Sequence, residues 1–130
     1  MSIEFEVSDL IPAHPDEIYN AWLDPEIHSE MTGGKAEVSS KEGDSFTAWD
    51  GYIQGKNTEL RFPNRILQSW RTVEFDGDDE DSRLEILFEA AGSGTKILIR
   101  HSNLPDHGMQ YKQGWFDSYF IPMKAYFSGK

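Results

Sequence analysis

Apolar and polar residues alternate from the start of the chain. Ile3, Phe5 and Val7 fall on one face and Glu4, Glu6 and Ser8 on the other, which predicts a half-buried strand over residues 3–10. Ile11-Pro12-Ala13-His14-Pro15 breaks it. Pro15 suits the first position of a helix, and Asp16 and Glu17 face the positive end of its dipole. Ile18, Tyr19, Trp22 and Leu23 recur at helical spacing, so a short helix covers 15–23. Asp24-Pro25 caps and opens a second one, carrying Ile27 and Met31 on one face and ending at Gly33-Gly34. Alternation then returns. Strands are predicted at 36–38, 45–49, 52–60, 65–75, around Leu84-Ile86-Phe88, and at 95–101. Asp50-Gly51 reads as a type I′ hairpin turn, Pro63-Asn64 and Gly92-Ser93-Gly94 as further turns, and residues 76–81 as an acidic loop. From about 106 to 127 the period is helical, with Trp115, Phe116, Tyr119, Phe120, Met123, Tyr126 and Phe127 forming a wide apolar face. Pro122 lies inside this run and removes the bond to the Ser118 carbonyl, which predicts a kink.

An antiparallel sheet of six to seven strands must cover one face, and the C-terminal helix is the one element large enough to do so. The predicted class is α+β: a curved antiparallel sheet gripping a long C-terminal helix, with two short helices after the first strand. No repeat or linker divides the 130 residues, so one domain over 1–130 is expected.

Composition narrows the function. Twelve Lys and Arg stand against 23 Asp and Glu, a net charge of -11, which argues against nucleic-acid partners. The absence of cysteine excludes disulfides, thiol catalysis and iron–sulfur ligation. No apolar run nears the ~20 residues that span a bilayer, and the first residues lack a signal-peptide pattern, so no membrane partner and a cytoplasmic location are expected. His14, His28, His101 and His107 share no metal-like spacing, and the acidic loop places its glycine wrongly for calcium. Met31-Thr32-Gly33-Gly34-Lys35 lacks the spacing of a phosphate loop and reads as a helix C-cap. No metal site or cofactor is expected. Ser118 has no elbow motif around it, so nucleophilic catalysis has no support.

Four stretches carry a resemblance that covers nearly the whole chain. They are Ile11-Pro12-Ala13-His14-Pro15-Asp16-Glu17-Ile18-Tyr19 with Trp22 and Asp24-Pro25-Glu26; Gly51-Tyr52-Ile53-Gln54-Gly55; residues 60–71, LRFPNRILQSWR; and Gln113-Gly114-Trp115 with Tyr119-Phe120, Met123-Lys124 and Phe127. Together, in this order, they resemble the helix-grip fold of the START/Bet v-like (SRPBCC) superfamily, and within it the C-terminal domain of the activator of heat-shock protein 90 ATPase and its stand-alone bacterial relatives. The eukaryotic co-chaperone carries a further N-terminal domain with no counterpart in these residues. In the relatives the helix usually continues unbroken where Pro122 stands.

The resemblance implies a cavity between sheet and helix, the usual ligand site of this fold. The candidate wall is Trp22, Ile27, Met31, Trp49, Trp70, Phe88, Trp115, Tyr119 and Met123, with Gln68 as an orienting polar group. The alternative for these aromatics is that they fill a core. Strand alternation places His101 on the inward face with Ile97 and Ile99, where an imidazole could bind a ligand or move a proton, with Tyr119 or Tyr52 as partner. The alternative is a histidine at the strand end, bonded to the backbone of Ser102-Asn103-Leu104. Three functions follow in order: a module binding a small apolar molecule, a co-chaperone-like partner of heat-shock protein 90, and a cyclase- or hydrolase-like enzyme using His101. A binding protein is favoured over an enzyme, as monomer or homodimer.

Overall fold

A computed structural model describes residues 2–129. Strand β1 (Ile3–Ile11) is followed by helices α1 (Pro15–Trp22) and α2 (Pro25–Thr32). Strands β2 (Ser45–Ala48), β3 (Ile53–Arg61), β4 (Arg65–Thr72), β5 (Ser82–Ala91) and β6 (Gly94–Leu104) come next. The C-terminal helical run consists of α3 (Gln110–Trp115), a π-helical turn (Phe116–Phe120) and α4 (Ile121–Ser128).

The six strands form one antiparallel sheet in the order β1-β6-β5-β4-β3-β2. β2 to β6 are a meander, and β1 closes the other edge by pairing with β6. The predicted segment 36–38 contributes only a bridge between Glu37 and Thr47, which fixes the count at six. Gly55 lets the sheet bend: a Cβ there would strike the Ser69 carbonyl and the Phe46 ring.

Local rules explain the helix boundaries. Asp24 caps α2, its Oδ1 accepting from the Glu26 and Ile27 amides at 2.9 and 3.0 Å. Gly33, at φ 87°, ends it in the left-handed conformation. The last helix starts later than periodicity predicts. Residues 106–109 are turns, with Gly108 N–H bonded to the Pro105 carbonyl at 2.8 Å.

Pro122 is accommodated one turn before itself. The Ile121 N–H reaches back five residues to the Phe116 carbonyl, and this wider turn absorbs the bond that proline cannot make. The predicted break therefore takes the form of an inserted π turn.

Predicted strand 65–75 stops at Thr72. The chain then turns so that Phe75 packs inward against Trp70 and Tyr111, with ring centroids 6.2 and 6.1 Å apart. The core lies between the concave sheet face and the helices. Ile66, Ile86, Ile97, Ile99, Phe120 and Met123 are fully buried in it. No helix among the described residues is long and apolar enough to cross a membrane.

Candidate functional site

One end of the sheet–helix interface is not filled. A cavity of about 320 Å³ is lined by Trp49, Tyr52, Ile53, Trp70, Tyr111, Gly114, Trp115, Ser118 and Tyr119. Three elements build it: the β2–β3 hairpin, the inner face of β4, and one stripe of the C-terminal helix.

The helix stripe explains why there is space. Tyr111, Trp115 and Tyr119 stand four apart, while Gly114 and Ser118 occupy the same side between them. A Cβ at Gly114 would meet no atom within 4 Å. Large rings separated by minimal side chains leave a hollow where a larger residue would complete the packing.

Behind the wall formed by Trp70 and Trp115, the Trp115 indole N–H and both ring nitrogens of His101 are paired. Trp115 Nε1–H donates to His101 Nδ1 at 3.1 Å. Ser82 Oγ–H donates to the Trp70 carbonyl at 2.7 Å, so its oxygen accepts from His101 Nε2–H at 2.8 Å. Each ring nitrogen of His101 therefore has a defined role, and the imidazole is neutral. Burial pushes its pKa down to about 3. His101 lies in the middle of the extended β6, fully buried, with the Trp70 ring edge-on 4.5 Å away. The strand-end alternative, with bonds to the backbone of residues 102–104, does not occur.

The cavity floor is a second relay. His28 Nδ1 lies 2.7 Å from the Trp22 carbonyl, which only accepts, so Nδ1 carries the proton. Nε2 is then bare and accepts from the Tyr119 O–H at 2.9 Å. Burial lowers the His28 pKa, against the raising effect of the Trp22 carbonyl. Burial also raises the Tyr119 pKa, opposed by the Trp49 indole N–H. The Tyr119 ring stacks on Trp22 at 4.8 Å.

The hairpin wall differs. Trp49, Asp50 and Gly51 all have positive φ, at 52°, 59° and 88°. Tyr52 N–H bonds to the Trp49 carbonyl at 3.1 Å, which closes the predicted I′-type turn on Asp50-Gly51. Trp49 thus leaves the strand predicted for it and takes a left-handed backbone, at a cost of about 1 kcal/mol for a bulky residue. Two contacts hold it there. The Asp50 N–H donates to the Lys35 carbonyl at 2.9 Å, and the indole ring lies on Gly34, where any Cβ would overlap it. Its buried Nε1–H faces the Tyr119 hydroxyl, whose pKa it lowers, but closes no hydrogen bond of ordinary length. A buried donor left unpaired costs about 1–3 kcal/mol.

At the mouth, the Tyr52 hydroxyl donates to Glu74, and Gln110 Nε2 donates to the same carboxylate oxygen at 3.0 Å. Burial first, and the Glu74 bond second, raise the Tyr52 pKa.

The predicted site residues thus separate. Trp49, Trp70, Trp115 and Tyr119 meet around the cavity. Trp22, Met31, Phe88 and Met123 are buried core and do not line it. Ile27 is partly buried against that core, and His101 lies behind the wall. Gln68 is buried too, and its amide donates to Asn57 Oδ1 at 2.9 Å. Tyr52, Ile53, Tyr111, Gly114 and Ser118 were not among the predicted wall residues. The signal for the helical three was there: two small residues interrupting an aromatic stripe. Among the described residues no group of three or more His, Asp or Glu is placed to hold a metal ion.

Solved structures of known proteins share this architecture. An HSP90 activator from Plasmodium falciparum superposes with a TM-score of 0.86 at 24% identity, covering 97% of this chain and 96% of that one. A protein from Chromobacterium violaceum gives 0.74 at 22% identity, covering 95% and 96%. The Aha1 dimer from Colwellia psychrerythraea gives 0.73 at 15%, covering 87% of each. No curated protein matches the chain. The sequence model described as activator of Hsp90 ATPase homolog 1-like protein matches residues 12–128. With nearly the full length matched and the helix-grip architecture in place, the chain belongs to the activator of Hsp90 ATPase homolog 1-like family, within the SRPBCC superfamily.

Proposed function

We propose that this protein is a single-domain cytoplasmic receptor for a small, mostly apolar molecule held between the β2–β3 hairpin, β4 and the C-terminal helix. The observation that carries this reading is the cavity's uncharged, largely aromatic lining. Binding fits better than catalysis. His101 is neutral with both nitrogens engaged, Tyr119 donates to His28, and Tyr52 donates to Glu74. None of these groups offers an uncommitted proton to a cavity-bound molecule. An amide and indole NMR titration with neutral aromatic compounds tests this. Shifts are expected at Trp49, Trp70, Trp115 and Tyr119. A panel that leaves all four unmoved sinks the reading.

A second reading is contact with an Hsp90 chaperone, as the family and the Plasmodium relative, an HSP90 activator, suggest. It is favoured by apolar side chains exposed at the cavity mouth. Val73 is 72% exposed beside Tyr52, and Met109 is 48% exposed next to Gln110. A chaperone ATPase assay at saturating protein decides it, an unchanged rate counting against. The Colwellia relative is a dimer, so light scattering on this chain belongs beside that assay.

A further inference from the structure

The polar atoms carried by the cavity lining are mostly committed within the fold. Trp115 Nε1–H donates to His101, and the Tyr119 O–H donates to His28. The Tyr52 hydroxyl is held by Glu74 at the mouth. The Tyr111 hydroxyl lies 2.6 Å from Thr72 Oγ1 and 3.2 Å from His107 Nε2. The Trp49 nitrogen is sealed against the Tyr119 hydroxyl.

Two groups remain. Trp70, on the inner face of β4, is 3% exposed, and its Nε1–H has no acceptor among the described residues. Unlike the Trp49 nitrogen, it is not enclosed by protein atoms. It therefore opens on free space, and the space that Trp70 borders is the cavity. On the facing helix Ser118 also lines the cavity, and its hydroxyl makes no hydrogen bond. A serine inside a helix can bond back to the carbonyl four residues before it. Here that residue is Gly114, and the bond is not made. Ser118 stands instead in the π turn before Pro122, a distortion frequent at functional sites.

An indole N–H only donates, and a hydroxyl can donate too. The cavity thus presents free donors from two walls, in a lining without a charged residue. A carbonyl oxygen, with two lone pairs and no proton, satisfies both. A charged ligand would leave water and meet no counter-ion in the lining. A carboxylate would in addition pass Glu74 at the mouth, and an ammonium would bring donors to a wall that already has them.

We infer that Trp70 and Ser118 are specificity-determining residues that donate to one carbonyl oxygen of the ligand, and that the ligand class is an uncharged ring-bearing ketone. This inference rests on the receptor reading above and narrows it.

The test uses four probes with one ring system at neutral pH: naphthalene, 2-acetylnaphthalene, 2-naphthoate and 2-naphthylmethylammonium. Affinities are measured by NMR titration of the wild type and of Ser118→Ala. In the wild type the ketone is expected to bind roughly tenfold more tightly than naphthalene, the worth of two modest hydrogen bonds. It should move the Trp70 indole N–H proton downfield relative to naphthalene, and both charged probes should bind more weakly than the ketone. Ser118→Ala removes a hydroxyl that bonds nothing in the fold, and should cut the preference for the ketone by about threefold. The inference is overturned if naphthalene or either charged probe binds as well as the ketone, if the Trp70 N–H shift is the same with and without the carbonyl, or if Ser118→Ala keeps the full preference. The ranking of probes and the Trp70 shift need no variant, so poor folding of Ser118→Ala would leave the proposal open to refutation. If none of the four probes moves the lining residues, the receptor reading falls and takes the inference with it.

Discussion

Trp115 and Trp49 face the same cavity from different elements, and their N–H groups meet opposite fates. On the helix, Trp115 donates to His101, which is tied through Ser82 to the Trp70 carbonyl. On the hairpin, the Trp49 N–H ends in a buried position with nothing bonded to it. The Trp115 and His101 groups are paired within the fold, and the Trp49 donor is not. A closed polar network fixes geometry, whereas a buried donor without a partner adds nothing to it. The two walls should therefore contribute unequally to stability.

The largest effect is expected at the closed wall. His101→Phe keeps an aromatic of similar size but leaves the Trp115 N–H unpaired, and should lower unfolding stability by about 3 kcal/mol in urea melts. The comparison breaks if this variant is as stable as wild type.

Next comes pH. The His101 pKa is depressed from 6.5 to about 3, so below pH 6.5 the unfolded chain binds a proton that the folded chain refuses. This contribution to stability is fully present above pH 6.5 and is lost as pH falls toward 3. Between pH 6.5 and 5 it amounts to about 2 kcal/mol. His28 acts in the same direction. Glu59 and Glu85, both lowered from 4.5, begin to contribute their own loss only at lower pH. Urea midpoints measured across this range should fall steadily in the wild type and more shallowly in His101→Phe. Equal slopes would contradict the neutral, buried imidazole.

Gly114→Ala sharpens the contrast from the helix side. The added methyl meets no atom, so the gain in helix propensity should raise stability by about 1 kcal/mol. The same methyl takes up space beside the cavity and should weaken aromatic ligands. Calorimetry on the free protein and a titration would show the two changes running in opposite directions.

The smallest stability change is expected at Trp49 itself. Trp49→Phe removes a buried unpaired donor but also part of the ring packed on Gly34, so the two effects offset and thermal stability should move by less than about 1 kcal/mol. A loss as large as that of His101→Phe would show that the two walls are alike.

Much of the fold was legible in the chain. Period-two alternation places Ile97, Ile99 and His101 on one inward face, and Asp24-Pro25 and Gly33 mark the ends of α2. Asp50-Gly51 marks the hairpin. These signals are local, so neighbouring residues suffice to specify them. The site was legible only in part. Periodicity shows which face a residue lies on, but not how deep it sits. Trp22, Phe88 and Met123 share the inward face with Trp70 and Trp115, yet they pack solidly while the latter border a hollow.

The sequence by itself determined the order of elements, the inward faces of the strands, the amphipathic last helix and the disruption that Pro122 must cause. Each follows from backbone geometry and nearest-neighbour sterics. Tertiary structure alone decided that Pro122 is met by a π turn before it, that Gln68 ties to Asn57, and that His28 fixes the proton of Tyr119 from 91 residues away. It also decided that Trp115 is paired and Trp49 is not. These outcomes depend on donors and acceptors from distant segments arriving within about 3 Å of one another, a distance that the pattern along a chain does not encode.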